Sequence, residues 1–194
     1  MKLNRKGQAS LLDRKKYLQI LDELKNPRHR LIFLIGAYTA ERWGAIRQLK
    51  ITDVYNVDGS VRDYITFDKL TRKGKRDSRV VRIHPDLRKE LNDYQLPTDT
   101  VFLFPSPVNR DLPITQDACD DFLRRTVEKL GLVGISTHST RRSAITNFYR
   151  QSGGKIAETK KFSGHRNIRT LIEHYVEVSS EEVDRLTTSL VPCV

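Results

Sequence analysis

Between residues 51 and 83 the hydrophobic pattern of this chain changes from helical spacing to short β-type runs, and on either side it is helical. Val54-Tyr55, Tyr64-Ile65-Thr66-Phe67 and Arg79-Val80-Val81-Arg82-Ile83 read as three strands, with Asp58-Gly59 marking the first turn and Lys73-Gly74-Lys75 inside the second. Upstream, Asp13 is placed to cap a helix over 13–25 whose Leu18, Leu21 and Leu24 face a core, ended by Asn26-Pro27. A second helix over 30–49 carries the apolar stripe Leu31, Ile35, Tyr38, Ile46 and Leu49. Downstream come a short helix after Pro85 with Leu87 and Leu91, and a proline-containing linker over 96–113. Helices over 116–130 (stopped by Gly131) and 138–151 (stopped by Gly153-Gly154) follow, then short ones around 156–162 and 168–174. The segment 179–190 presents Val183, Leu186 and Leu190 on one face. The expected fold class is α+β, mostly helical, with a small three-stranded antiparallel sheet near residues 51–83. A chain of 194 residues builds one good core plus arms: a basic arm over 1–10, a folded body over 11–178 and an amphipathic tail over 179–194.

Charge points to an anionic partner. Lys and Arg outnumber Asp and Glu by 35 to 24, a net charge of +11. Between Arg62 and Arg82 there are eight basic residues against three acidic ones. Such a cluster is a candidate phosphate-contacting surface; the plainer reading is a solvated hairpin. No run approaches the roughly 20 apolar residues that cross a bilayer, and no apolar segment follows the basic start Lys2, Asn4, Arg5, Lys6, so no membrane partner, no secretory signal and a reducing cytoplasm are expected. Cys119 and Cys193 form neither a disulfide framework nor a zinc pattern, and the five histidines are scattered, so no metal is expected.

A few residues resist a structural explanation. Arg42 falls on the apolar stripe of the second helix. On the helix beginning near 138, His138, Arg141, Ile145 and Phe148 share one face, and the last two are core residues by composition. His138 and Arg141 then point inward at the first helical turn, which suits the wall of a cleft where an anion also meets helix N–H groups. Taken singly, each has a plainer reading: Arg141 pairs with a buried carboxylate and His138 caps the helix. His165 follows 24 residues after Arg141, and Tyr175 ten residues after that. Tyr38 lies on a core stripe, Tyr64 in a strand and Tyr149 mid-helix among apolar neighbours, so each is a poorer nucleophile than Tyr175. Tyr175 itself has core-type neighbours in Leu171 and Val176, which leaves a packing role open. His29 and His84 sit in turn-like settings and read as solvated.

Thr39-Ala40-Glu41-Arg42, His138-Ser139-Thr140-Arg141, Ser163-Gly164-His165 and Tyr175, in that order and near the family's spacings, resemble the boxes of the tyrosine recombinases, the phage-integrase family. The resemblance covers about residues 11–178 and implies a catalytic domain that cleaves and rejoins DNA at specific sites through a 3′-phosphotyrosine. It implies Tyr175 as nucleophile, Arg42 and Arg141 as the phosphate clamp, and His138 as an aid to proton transfer. His165 would hydrogen-bond the phosphate, and a hairpin lysine would protonate the leaving 5′-oxygen. Among Lys69, Lys73 and Lys75 the reading favours Lys73, beside the turn glycine, with Lys75 next. Lys69, Arg72, Lys75, Arg76 and Arg79 are the expected DNA contacts. The family implies no cofactor, double-stranded DNA as partner, a tetramer on DNA with protomer contacts through the tail, and a nucleoid-associated cytoplasmic location. Two departures matter: Ala45 stands where the family has an acid, for which Glu41 can partly substitute, and His174 occupies the family's nine-residue place for the tyrosine. They favour a non-cleaving DNA-binding protein of the same fold as the alternative, with type IB topoisomerase-like activity as a third reading. The family's N-terminal DNA-binding domain has no counterpart in the roughly ten residues before the first helix, and a piece of a longer protein is the reading preferred.

Overall fold

A computed structural model describes residues 9–72, 77–165, 167–175 and 180–188. Helix α1 (Arg14–Glu23) starts where Asp13 accepts the Lys16 amide at 2.8 Å. Its inward face is Tyr17, Ile20 and Leu24, whereas Leu18 is 50% exposed. Of the expected face Leu18-Leu21-Leu24, Leu21 and Leu24 pack on the core and Leu18 does not, because a strict spacing of three drifts around a helix of 3.6 residues per turn. Helix α2 (Pro27–Thr39) begins with Asn26 accepting the Arg28 and His29 amides, and Leu31 to Gly36 are buried on every side. It is the central rod of the fold and packs against α4 (Pro85–Asp93) and α6 (Thr137–Gln151).

The single helix expected over 30–49 is two. Ala40 takes a left-handed conformation (φ 55°) and ends α2, and α3 (Trp43–Ile46) starts afresh after Arg42. The break turns Trp43 under α2, where its indole N–H donates to Thr140 Oγ1 at 3.0 Å.

The sheet has two strands, not three: β1 (Tyr64–Phe67) pairs antiparallel with β2 (Arg79–Arg82), Phe67 opposite Arg79. Val54-Tyr55 cannot extend it, because the amides of both residues already donate to Ile51 O, and Tyr55 keeps one isolated bridge to Val61. The stretch over 96–113 is less a linker than part of the body. Leu103 and Phe104 are buried, and bridges join Lys50 to Phe102 and Pro105 to Pro113.

Helix α5 (Gln116–Lys129), stopped at Gly131, packs on α1, α3 and α6. After α6 come α7 (Ile156–Ser163), capped by Gly164, then α8 (Ile168–Tyr175) and α9 (Ser180–Thr188). Ala40, Ile145 and Leu171 form a second, smaller core cluster, with Ile156 and Phe162 against it, and this fastens the α7–α8 corner onto α6 beside the α2–α3 break. No described helix is long and apolar enough to cross a membrane. His29, expected to be solvated, is half-buried and stacks on Phe122 (centroids 4.0 Å apart), while exposed His84 caps α4 and stacks on Tyr38.

Candidate active site

Because Ala40 turns the chain, Glu41 enters the interior while Arg42 comes out. Glu41 is 1% exposed, and its carboxylate is the hub of the site. Oε2 accepts from Arg79 Nη1 at 3.0 Å and from Arg72 Nε at 3.2 Å. Oε1 accepts the Arg42 amide at 2.9 Å and faces Arg141 Nη1 at 3.9 Å. Burial pushes this carboxyl upward, but Arg79, the Arg42 amide, Arg141 and Arg72 together outweigh it and hold Glu41 below the ordinary carboxylate range. Arg79 shows the other side of the balance. Burial, reinforced by the two neighbouring guanidiniums and opposed by Glu41, lowers it to about 10. Among the described residues, three guanidiniums thus stand around one buried carboxylate, an arrangement with the charge and geometry to take an anion as well.

Arg141, 4% exposed, is held by the chain itself. Its guanidinium donates to Ala40 O and, at 3.0 Å, to Ser163 O, and Nη2 lies 3.4 Å from His165 Nε2. The plainer reading of Arg141 is thus partly true: a buried carboxylate does stand beside it. His165 Nδ1 sits 2.7 Å from Ser163 Oγ, whose own hydroxyl donates to Lys160 O. Ser163 Oγ must therefore accept, so Nδ1 carries the proton and the bare Nε2 accepts from Arg141. Arg79 donates further to Thr39 O and Phe162 O and lies over the Phe162 ring, and Gly164 lets Arg72 and Arg79 approach. A Cβ at Gly164 would stand 3.0 Å from Arg72 Nη2.

The structure brings together Arg141, His165 and the Arg42 backbone. Arg42 is exposed at the start of α3 rather than on a buried stripe, since the helix it was expected to share ends at Thr39. His138 is exposed, one turn before Arg141 on α6. Arg72 and Arg79, expected on a DNA-facing hairpin, are instead interior groups bound to Glu41. Lys69 is exposed in the short 3-10 turn that follows β1. Lys73, Lys75 and Arg76 lie outside the described residues, and Tyr175 is described only as the last residue of α8, four positions beyond buried Leu171. Among the described residues no group of His, Cys, Asp and Glu has the makings of a metal site. Ser163 was not singled out, and no sequence signal marks it beyond adjacency to Gly164-His165.

The family model described as "Phage integrase family" matches residues 10–182. Transposase A from transposon Tn554 of Staphylococcus aureus is 24% identical over 190 residues, covering 92% of this chain and 52% of the transposase, so the chain spans about half that relative's length. The probable integrase/recombinase YoeC of Bacillus subtilis (strain 168) is 29% identical over 142 residues, 73% of each protein. The Tn1549 transposon integrase, solved in complex with circular intermediate DNA, superposes with a TM-score of 0.74 at 13% identity, over 97% of this chain and 69% of that one, a likeness of fold. With most of its length matched, the chain belongs to the phage integrase family, the tyrosine recombinases.

Proposed function

We propose that residues 11–178 form the catalytic body of a site-specific recombinase that cuts and rejoins duplex DNA through a 3′-phosphotyrosine on Tyr175. The observation that carries this reading is the buried group of three guanidiniums around Glu41, with His165 against Arg141. A phosphodiester gains negative charge at phosphorus in the transition state, and guanidinium forks meet its oxygens at fixed geometry. Arg42 and Arg141 hold the non-bridging oxygens. The Tyr175 oxygen bonds to phosphorus as the bond to the 5′-oxygen breaks; the phenolic proton departs with help from His138, and the 5′-oxygen takes a proton from Lys73. A 5′-hydroxyl of a second strand reverses these steps, so the exchange conserves bond energy and needs neither nucleotide nor metal. His165, held against Arg141, hydrogen-bonds the phosphate. DNA as substrate is supported by the Tn1549 integrase, which shares this fold and was solved with circular intermediate DNA. A tetramer joined through residues 179–194 is the assembly that goes with it, and sedimentation on DNA tests it.

Covalent capture tests the reading. Duplexes with randomised flanks around one 5′-bridging phosphorothiolate should yield a denaturation-resistant adduct, whose DNA then names the preferred site. Tyr175→Phe should abolish it, and Arg42→Ala or Arg141→Ala should slow it at least about a hundredfold. Wild-type rates in the arginine variants overturn the assignment. Buried Ala45, apolar where the family carries an acid, favours a DNA-binding protein that does not cleave; specific binding with no adduct decides for it.

A further inference from the structure

We infer that Trp43 and Thr140 are positioning residues whose single hydrogen bond sets where Arg42 stands relative to Arg141; this rests on the phosphotyrosine reading. Each is the chain neighbour of one of the arginines given to the phosphate, Trp43 following Arg42 and Thr140 preceding Arg141. The two arginines are held very differently. Arg141 is buried on α6, whereas Arg42 is exposed in the short irregular stretch between α2 and α3. Ala40 is left-handed there and Arg42 is extended, and only the four residues of α3 follow, so regular structure does little to aim the Arg42 side chain. Two ties across to α6 do it instead. On one side of Arg42, Ala40 O accepts from the Arg141 guanidinium. On the other, the Trp43 indole N–H donates to Thr140 Oγ1 at 3.0 Å, with both side chains buried. A segment tied at one point can pivot about it; tied on both sides of Arg42, it cannot. The acceptor is itself fixed, because the Thr140 hydroxyl donates to Thr137 O at 3.0 Å and presents its remaining lone pair to the indole. Phe122 packs on the indole, with ring centroids 5.4 Å apart.

A buried indole N–H needs an acceptor whatever its function, and variants of Thr140 separate that need from positioning. Thr140→Ser keeps the hydroxyl and loses a methyl; Thr140→Val keeps the shape and loses the acceptor. Adduct formation is measured at saturating duplex of the captured sequence carrying the 5′-bridging phosphorothiolate, whose sulfur departs without a proton, so that attack on phosphorus is what is read. Thr140→Val should slow the adduct about tenfold, the order set by a shift of roughly half an ångström where roughly 1 Å costs about a hundredfold, while Thr140→Ser keeps the wild-type rate. Packing alone gives the reverse order. In an Arg42→Ala background the Thr140→Val loss should disappear, since no side chain is left to misplace, whereas a general loosening of the fold would slow both backgrounds. Trp43→Phe removes the donor from the other end, should reproduce the fall and should add nothing to Thr140→Val; it carries the comparison if Thr140→Val does not fold by circular dichroism. A wild-type rate in Thr140→Val, an equal loss in Thr140→Ser, or a loss retained in full with Arg42→Ala overturns the inference. A wild-type protein that makes no adduct refutes the phosphotyrosine reading instead. Affinity for the tightest-bound duplex of the randomised pool then judges the pair: Arg42→Ala should weaken it, Thr140→Val should weaken it only where Arg42 is present, and an unchanged affinity in Thr140→Val overturns the inference as well.

Discussion

Ser163 decides what His165 can do. With its hydroxyl committed to Lys160 O, Ser163 Oγ holds the Nδ1 proton of the ring, and the opposite nitrogen is aimed at Arg141. Ser163→Ala removes that restraint, so the ring is free to present either nitrogen. Adduct formation should fall by about tenfold or more, the order reported for loss of a histidine's orienting partner, with the folded state intact by circular dichroism; an unchanged rate refutes the role. Arg141→Lys should be as damaging as Arg141→Ala, because one ammonium cannot span Ala40 O, Ser163 O and a phosphate. The inward placement of Arg141 was legible in the sequence because it rests on local helical spacing, whereas His138, expected to point inward with it, is exposed. The burial of Arg79 was not legible. In a strand reading Arg-Val-Val-Arg each face carries one arginine and one valine, and an arginine ordinarily marks the outer face, yet Arg79 is buried and Val80 is 60% exposed. The pairing that reverses the pattern comes from Glu41, 38 residues away, and one-dimensional periodicity carries no sign of it.

At the scale of elements, helix stops read from glycines held: Gly131, Gly153 and Gly154 all adopt positive φ beyond their helices. The α2–α3 break was hidden because Ala40, not glycine, takes the left-handed turn and the apolar spacing runs through it. Gly36 shows why the break is tolerated. A Cβ there would lie 2.7 Å from Trp43 Nε1 and 3.0 Å from Thr140 Oγ1, so only glycine lets the returning indole lie under α2 against α6. Gly→Ala inside a helix ordinarily gains about 0.5–1 kcal/mol. Gly36→Ala should instead lose about 1 kcal/mol or more through overpacking, seen as a lower urea midpoint at unchanged slope; stabilisation would contradict the packing. His29, wedged on Phe122 at the α2–α5 contact, adds a pH dependence. Burial, with the Arg28 charge beside it, lowers the ring to about 4 from an ordinary 6.5. The unfolded chain thus takes up the proton first. The contribution of the neutral ring is fully present above about 6.5 and is lost as pH falls from there to about 4. His29→Phe should flatten the stability profile across that window, and an unaltered profile would rule the assignment out.

For the whole molecule, a net charge of +11 says that an anion binds but not where. The fold sorts the cations. Arg72 and Arg79 are spent inside on Glu41, and on α5 Arg124 pairs with Asp121 and Glu128 while Arg125 pairs with Asp121. Lys69 stands exposed just past the end of β1, three residues before buried Arg72. Each phosphate neutralised by a lysine or arginine releases condensed counterions and contributes about −0.9 to the slope of log affinity against log salt. Lys69→Ala should therefore make the slope for duplex DNA shallower by about 0.9, whereas Arg124→Ala and Arg72→Met should leave it where it was. Titrating a fluorescent duplex between 50 and 200 mM salt, roughly the range over which such contacts are resolved, separates the faces. A slope that responds to Arg124 and ignores Lys69 would put the DNA on the α5 side, away from Arg141 and His165, and the buried arginine cluster would then have no phosphodiester to act on.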